Sequence, residues 1–213
     1  MKKLKFHRMC AYNFLCFGND GIEIKFDDYG NIVFIRGENN DVIDVEDDNS
    51  SDETKISSNG SGKSSIQEII CYGLFGKTVK KPSAIGKDDV INNLTGKDCK
   101  IELEWDQYKL VRTRKKNSLK FWSDPDRKFE KDTELTTGSM DDTQVLIEQA
   151  LGLTYEAFVN ICIFSDDQSI SFLEANAATK REIVENLLSL NSYREKQDKA
   201  KKLVSDTSSS IKT

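Results

Sequence analysis

A short glycine-rich segment, residues 59–65, constrains the fold more than any other feature of this chain. Its sequence is Asn-Gly-Ser-Gly-Lys-Ser-Ser, and apolar residues at helical spacing follow it. Glycines in such a segment let backbone N–H groups converge on phosphate oxygens, and the start of the next helix adds partial positive charge. Lys63 can then reach the β- and γ-phosphates, and Ser64 can bind Mg²⁺. We call this segment the phosphate loop, and it predicts a site for ATP and Mg²⁺. Its predicted nucleotide-binding residues are Asn59, Gly60, Ser61, Gly62, Lys63, Ser64 and Ser65.

The phosphate loop departs from the usual pattern at its first glycine. That pattern requires a glycine five positions before Gly62, and this chain has Ser57 there. Gly37, which follows the apolar run 32–35, is the candidate for the missing glycine, so that residues 39–58 become an insertion. An insertion of about twenty residues adds little closure entropy, because the penalty grows only with the logarithm of loop length. We therefore expect the loop to bind nucleotide in spite of it.

The insertion 39–58 is acidic, with seven Asp or Glu residues and one Lys. This composition is typical of an exposed loop. Carboxylates held against ATP phosphates would repel them, so we expect the insertion to project away from the nucleotide. The alternative to a phosphate loop is a glycine- and serine-rich linker that happens to contain a lysine. Such a linker would need neither the apolar run before it nor the amphipathic helix after it.

Apolar patterns predict an antiparallel β portion in the first half of the chain. Short strands are expected at 4–12 and 22–26, and the run 32–35 is expected to be a buried strand. A helix should begin at about Lys63 and end at Gly76. Alternation of apolar and polar residues then predicts a meander of strands. These strands are expected at 99–105, 108–114 and 119–122, with a turn at 124–126.

The second half is predicted to be mostly helical. Two helices are expected at 143–151 and 154–164. Thr179 and Glu182 form a capping box, which predicts the start of a third helix. Weak apolar residues follow heptad spacing after Leu190, which indicates a coiled coil or, alternatively, an ordinary surface helix.

Composition excludes several kinds of site. The net charge of −5 argues against a wholly basic nucleic-acid binder, although basic patches remain possible because the insertion carries so much of the negative charge. The five cysteines form no Cys-x-x-Cys pair, so we expect reduced core thiols. His7 is the only histidine, which excludes a zinc cluster or a histidine-based triad around it and leaves a structural role as the expectation. Since the sequence has no signal peptide or membrane-length apolar run, a cytosolic location is expected.

An ordered series of motifs resembles one known family over essentially the whole chain. The series is Phe6–Phe14, Asn59–Ser65, Tyr72–Gly76, Ala157–Phe158, Phe164–Gln168, Phe172–Leu173 and Lys180–Leu188. Only the phosphate loop is specific by itself, and the order of the motifs carries the rest. The sequence is similar to the SMC-like, ABC-type ATPase subunit of the double-strand-break repair nuclease complex, of the SbcC type, and most similar to the tailed-phage form of that subunit.

The resemblance implies an α/β fold. The chain would be a P-loop NTPase, an ABC/SMC-type half-head with an antiparallel β portion and a helical lobe leading into a coiled-coil root. Residues 1–190 would form the N-terminal half of the ATPase head, and residues 191–213 would begin the coiled coil. If the chain is phage-encoded, it would work in the host cytoplasm.

The resemblance also assigns roles outside the phosphate loop. Gln168 would be the Q-loop glutamine, whose neutral amide helps to hold Mg²⁺ and orients the attacking water. Gln168 and Lys63 are the two candidate catalytic residues. Arg8 and Asn13 would lie near the base, ribose or phosphates of the nucleotide. From chemistry alone, the alternative is that Gln168 is a solvated loop residue and Arg8 a solvated strand residue.

The resemblance implies that this chain supplies only part of an active site. The sequence has no Walker B strand ending in an Asp-Glu pair and no signature motif, and efficient ATP hydrolysis requires such groups. In the family, a C-terminal half supplies them, and a second ATPase head completes a homodimer that encloses two ATP molecules. The chain alone is therefore expected to be inactive. A metallophosphoesterase-type nuclease subunit would dock near the coiled-coil root, at residues 192–205.

Double-stranded DNA is the other expected partner, whereas no membrane contact is expected. Two groups of basic residues could contact a DNA backbone, although such groups are usually solvated faces. They are Lys109, Arg112, Arg114, Lys115, Lys116 and Lys120, and Lys77, Lys80, Lys81 and Lys87. Two alternatives remain open: an SMC or gap-repair type ATPase without a nuclease partner, and a module that tethers DNA or a partner without hydrolysing ATP.

Overall fold

The computed structural model describes six parts of the chain, residues 4–38, 60–79, 88–163, 176–187, 197 and 199–204. The chain divides into two compact units, Met1–Ile147 and Glu148–Thr213. No helix among the described residues combines the length and the apolar character that crossing a membrane requires.

The first unit is built on one antiparallel sheet. Its strands are β1 (Phe6–Tyr12), β2 (Ile22–Lys25), β3 (Lys100–Trp105), β4 (Tyr108–Thr113) and β5 (Ser118–Ser123). They lie in the order β2-β1-β3-β4-β5, and every neighbouring pair is antiparallel. The short strands and the meander predicted from apolar alternation are therefore confirmed, with small differences at their ends.

One face of this sheet is apolar and is covered by helix α1 (Lys63–Phe75). The strand register aligns Met9, Leu103 and Leu110 on this face, and all three are fully buried. The helix crosses the sheet at Gly73, where an added Cβ would lie 2.6 Å from Cδ1 of Leu103. The missing side chain at Gly73 therefore allows the close approach of α1.

The other face of the sheet is charged. The register aligns Arg8, Glu104 and Lys109 across β1, β3 and β4. Alternate strand residues point to opposite faces, so these three side chains face away from α1. Opposite charges placed side by side in this way stabilise neighbouring strands.

The prediction of a buried strand at 32–35 is wrong for the described chain. These residues form no strand, and the side chains of Ile32 and Phe34 are 80% and 94% exposed. An apolar run becomes a buried strand only where another strand satisfies its backbone and another layer covers its side chains. No described strand pairs with this segment.

Helix α1 begins and ends as predicted. Lys63 is its first residue, and Gly76 follows its last residue with a left-handed φ of 66°. The N–H of Gly76 donates to the carbonyl of Tyr72 at 2.8 Å. This is the ordinary reason for a glycine at a helix end, because residues with a Cβ are strained at positive φ.

Three further helices agree with the helical second half. They are α2 (Met140–Leu151), α3 (Tyr155–Cys162) and α4 (Ala177–Leu187). Thr154 caps α3 by accepting a hydrogen bond from the N–H of Ala157. The capping box is wrong, because α4 already includes Thr179. The first backbone hydrogen bond of α4 runs from the N–H of Lys180 to the carbonyl of Asn176, and asparagine is among the residues most favoured just before a helix.

Two segments named in the sequence analysis lie outside the described residues. They are the acidic insertion 39–58 and most of the predicted coiled coil 191–213, of which residues 197 and 199–204 are described and are helical.

Candidate functional site

The described part of the phosphate loop, residues 60–65, leads directly into α1. Gly60 and Gly62 have left-handed φ values of 77° and 83°, a conformation that a side chain would strain. Gly62 is the N-cap of α1 and has no side chain with which to cap the helix. Its carbonyl accepts a hydrogen bond from the N–H of Ser65 at 3.0 Å. The first turn of α1, at Lys63 and Ser64, therefore presents the positive end of the helix dipole at the loop.

Gly37 lies against this loop although the two are distant in sequence. A Cβ added at Gly37 would lie 1.9 Å from Oγ of Ser61, 2.7 Å from its Cβ, and 3.0 Å from Cγ of Lys63. Only a residue without a side chain fits this approach. Gly37, the candidate first glycine, therefore lies against the loop although the insertion 39–58 separates them in sequence.

A segment that the sequence analysis did not select also touches the loop. Sγ of Cys16 lies 2.7 Å from the position of a Cβ on Gly62, and its thiol donates to Oγ of Ser65 at 3.4 Å. A ring carbon of Phe17 lies 3.6 Å from the same Cβ position. Cys16 and Phe17 come shortly after the motif Phe6–Phe14. Their position next to this motif is the one sequence signal that pointed to them.

A cavity of about 390 Å³ opens beside the loop. Lys63, Ser61 and Gly62 line one side, and Nζ of Lys63 donates to Oγ of Ser61 at 3.1 Å. Arg36 and Gly37 also line the cavity, and aliphatic and aromatic side chains make up the other part of its wall. They are Phe17, Ile22, Ile24, Phe26, Tyr29, Val33, Phe34, Ile35 and Ile66. A cationic and amide-rich end next to an apolar wall suits a ligand with a phosphate at one end and a flat apolar group at the other.

Arg8 contacts carboxylates on the charged face of the sheet. Its Nε donates to Glu23 at 2.6 Å, and its Nη1 lies 3.4 Å from both Glu102 and Glu104. Burial alone would lower the pKa of Arg8, but the hydrogen bond to Glu23 and the nearby negative charges raise it above its usual value. The guanidinium is therefore held by acidic side chains on the face opposite α1.

Asn13 organises the turn that carries Cys16. It has a left-handed φ of 52° and is buried. Its N–H donates to the carbonyl of Gly18, and its carbonyl accepts from the N–H of Asn92. Asn92 also donates through its side chain to the carbonyl of Leu15 at 2.7 Å. Asn13 thus shapes the segment that reaches the phosphate loop, and its oxygen Oδ1 has no hydrogen-bond partner among the described residues.

The comparison with known proteins agrees with this architecture. Residues 12–212 match the AAA domain family. The chain belongs to this family. It is 27% identical to exonuclease subunit 2 of Enterobacteria phage T4 over 208 residues, which are 96% of this chain and 32% of that protein. It is 29% identical to exonuclease subunit 2 of Escherichia phage RB69 over 171 residues, or 78% of this chain and 28% of that protein. The chain spans about a third of the length of these relatives.

A solved structure has the same fold. It comes from a study of ATP-driven dimerization and DNA-stimulated activation of SMC ATPases, and it matches 86% of this chain and 99% of its own with a TM-score of 0.50 and 13% identity. The predicted fold class, an α/β P-loop NTPase of the SMC head type, is confirmed. The resemblance to the phage, SbcC-type ATPase subunits is confirmed as well.

Two predicted site residues of this AAA domain lie outside the described residues. They are Asn59, at the start of the phosphate loop, and Gln168, the candidate Q-loop glutamine. Their roles stay predictions, as do those of Arg8 and Asn13.

The basic residues considered for DNA contact have neighbours that satisfy much of their charge. Lys109 lies 3.6 Å from Glu102 and 3.3 Å from Glu104. The remaining residues of the first group also have partners. Arg114 pairs with Asp88, Lys115 donates to the carbonyl of Gly96, Lys116 pairs with Asp98, Lys120 pairs with Glu134, and Arg112 is buried. In the second group, Lys80, Lys81 and Lys87 lie outside the described residues. Four of the described residues in these groups, Lys109, Arg114, Lys116 and Lys120, thus form ion pairs.

Proposed function

We propose that this chain is the ATP-binding N-terminal lobe of a DNA-repair or recombination ATPase. The observation that carries the proposal is the close approach of Gly37 to Ser61 and Lys63. It supports a phosphate loop whose first glycine is separated from the others by the insertion 39–58. The names of the phage relatives and of the SMC structure support the setting of exonuclease complexes and ATP-driven heads.

In this proposal the phosphates of ATP lie on the amides of residues 60–65. Lys63 neutralises charge on the β- and γ-phosphates, and Ser64 holds Mg²⁺, which supplies charge neutralisation for phosphoryl transfer when it is bound. The nucleoside occupies the cavity beside the loop, against Phe17 and its apolar neighbours. Gln168 positions the attacking water. The remaining loop residues, Asn59, Gly60, Ser61, Gly62 and Ser65, shape the phosphate cradle.

The exposed run 32–35 supports completion of the fold by a second lobe. Ile32 and Phe34 are largely exposed, and burial of each such side chain would contribute roughly 1.5–3 kcal/mol. A segment that pairs with no described strand is available for pairing with a strand of another lobe. We propose that the C-terminal half of the ATPase supplies that strand together with the Walker B and signature groups. ATP hydrolysis then requires that half and a second head, which forms a homodimer around two ATP molecules.

The proposed partners are a nuclease and DNA. A metallophosphoesterase-type nuclease subunit would dock at residues 192–205, next to the coiled-coil root, and double-stranded DNA would bind the assembled heads. An SMC or gap-repair type ATPase without a nuclease, or a tether that does not hydrolyse ATP, is the alternative. Purification of the full-length protein with its bound subunits, followed by a nuclease assay, separates these alternatives.

The central experiment measures nucleotide affinity and turnover with a fluorescent ATP analogue and Mg²⁺. This chain is compared alone and with the complementary half of the full-length protein. We expect weak binding and no turnover for the chain alone, and binding with turnover for the assembly. Lys63→Ala should reduce affinity by about tenfold or more, because it removes a charge-assisted contact to phosphate, whereas Lys120→Ala on β5 should not. Turnover by the chain alone, or full affinity in Lys63→Ala, would refute the proposal.

A further inference from the structure

A second cavity, of about 410 Å³, lies at the other end of α1. The helix has 13 residues, so its two ends are about 18 Å apart at 1.5 Å per residue. The cavity is therefore separate from the phosphate loop. Its size falls within the range of small-molecule sites.

The wall of this cavity combines positive charge with apolar surface. Three cations, Lys77, Arg112 and Arg114, line it together with one carboxylate, Asp141. Tyr72, Phe75 and Met140 provide apolar surface, and Thr113, Asn117 and Gln144 provide polar groups. The excess of positive charge favours an anion, and the apolar surface favours an organic ligand.

Arg112 is the unusual member of this wall, because it is only 7% exposed. Its Nε donates to the carbonyl of Gly73 at 2.9 Å, and its Nη2 donates to Gln144 at 2.6 Å and to the carbonyl of Leu74 at 3.4 Å. These contacts hold the guanidinium at the carbonyl end of α1. Burial lowers the pKa of Arg112 to about 10, so the group stays charged at neutral pH.

One edge of the guanidinium remains available to a ligand. Nη1 of Arg112 makes no hydrogen bond with any described residue. A Cβ added at Gly76 would lie 3.0 Å from this Nη1 atom. Gly76 itself lines the cavity. A charged donor that is mostly buried and incompletely paired is costly unless an anion completes it.

Arg114 extends the same side of β4 by one alternate position. Its Nε donates to Asp88 at 2.7 Å, and its Nη1 donates to Asn117 at 2.9 Å. Its remaining nitrogen, Nη2, has no hydrogen bond to a described residue. Two fixed guanidinium groups with unused N–H donors on one wall suit the several oxygens of a phosphate group.

We propose that this cavity binds a phosphomonoester, either a free mononucleotide or the terminal phosphate of a DNA strand, through Arg112 and Arg114. A phosphodiester within a duplex backbone is a poor fit, because the buried Arg112 is reached only from inside a cavity. A terminal phosphate or a free nucleotide can enter, with the nucleoside against Tyr72, Phe75 and Met140. This site does not depend on the ATP site proposed above.

The test uses the whole chain in the Lys63→Ala background, so that the phosphate loop does not contribute. Deoxyadenosine monophosphate is titrated while the backbone amide resonances of Gly76 and Asn117 are followed by NMR, with deoxyadenosine as the control ligand. Two single-stranded oligonucleotides, with and without a 5′-phosphate, form the second arm. We expect the phosphate-bearing member of at least one pair to shift both resonances, and the member without phosphate to leave them in place. A shift by the monophosphate alone identifies a free nucleotide as the source, and a shift by the 5′-phosphorylated strand alone identifies a DNA end.

Substitutions then test which side chains of the cavity contact the phosphate. Arg114→Gln should weaken binding by about tenfold through loss of a charge-assisted pair, while Lys25→Gln, with the same change in charge at an exposed position on β2, should leave it unchanged. Met140→Trp should also weaken binding, because the larger side chain fills the cavity without changing its charge. If Arg114→Gln does not fold, the comparison of Met140→Trp with the wild type provides the test. The proposal is overturned if neither phosphate-bearing ligand shifts the resonances at millimolar concentration. Equal affinity of the folded Arg114→Gln and Lys25→Gln variants overturns it as well.

Discussion

The Sγ atom of Cys16 lies 3.4 Å from the Oγ atom of Ser65, which places a thiol from the turn after β1 on the predicted phosphate loop. The same sulfur is the nearest atom to a Cβ placed on Gly62. A group attached to this sulfur would occupy the space in front of Gly62. Nucleotide binding and modification of Cys16 should therefore exclude each other.

We expect alkylation of Cys16 by iodoacetamide to abolish binding of the ATP analogue, and excess nucleotide to protect the thiol. Cys16 is exposed, whereas Cys10, Cys71 and Cys99 are buried. Burial raises the pKa of Cys71 to about 12 and those of Cys10 and Cys99 to about 11, so these thiols should react slowly. Peptide mass spectrometry measures the order of reaction.

The matched control for this experiment is Cys16→Ser, which should bind nucleotide and resist inactivation. The other exposed thiol, Cys162, serves as an internal standard for reactivity. If Cys16 is fully alkylated and affinity is unchanged, the nucleotide does not use the space beside this sulfur.

Gly37→Ala tests the contact across the insertion. The new Cβ would lie 2.7 Å from Cβ of Ser61 and 3.0 Å from Cγ of Lys63, so the loop would have to move. We expect a loss of nucleotide affinity of about tenfold or more, because a small displacement of a preorganised site is costly. The control is Gly30→Ala, since a Cβ at Gly30 would have no neighbour within 4 Å. Adding Ser61→Gly to Gly37→Ala should restore part of the affinity, and a double variant no better than the single one would argue against this contact.

The strands of the sheet could be predicted from local pattern because each has one face on the core. In β3, Ile101 and Leu103 are buried at alternate positions, and that alternation is visible in the sequence. Likewise, the glycines at both ends of α1 mark its limits. Whether residues 32–35 are buried could not be predicted from the local sequence, because their burial depends on a second strand that pairs with them.

The sites depend on contacts between distant residues, which a local pattern does not contain. Cys16 meets Ser65 through a turn whose shape is set by Asn13 and Asn92. Arg112 follows Leu110 at the alternate position and so shares its buried face. However, only the tertiary structure supplies the carbonyls of Gly73 and Leu74 that make its burial tolerable.

Gly73→Val tests the packing of α1 on the sheet. Its Cβ would lie 2.6 Å from Cδ1 of Leu103 and 3.0 Å from Cγ2 of Ile101. Overpacking of this kind costs about 1–3 kcal/mol, and we expect the free energy of unfolding in urea to fall by that amount. Gly138→Val is the control, because a Cβ there has no neighbour within 4 Å. An unchanged free energy of unfolding in Gly73→Val would mean that α1 does not approach the sheet this closely.

The ion-pair cluster at Asp27 predicts a dependence of stability on pH. Lys5 lies 2.8 Å from Oδ1 of Asp27, and Nδ1 of His7 lies 2.8 Å from Oδ2. Hydrogen bonds from Lys5 and then from His7 lower the pKa of Asp27 from 3.8 to about 2. A carboxyl whose pKa is lowered by folding stabilises the protein above its unfolded pKa, and this contribution is lost as the pH falls through the folded value. Asp27→Asn should therefore reduce the free energy of unfolding at a pH of about 6, and its difference from the wild type should shrink between a pH of about 4 and 2.

Urea titrations across this range measure the effect, with Asp20→Asn as the control because Asp20 is exposed and makes no ion pair with a described residue. A difference that stays constant down to the lowest pH would show that the Asp27 carboxylate does not contribute through its charge.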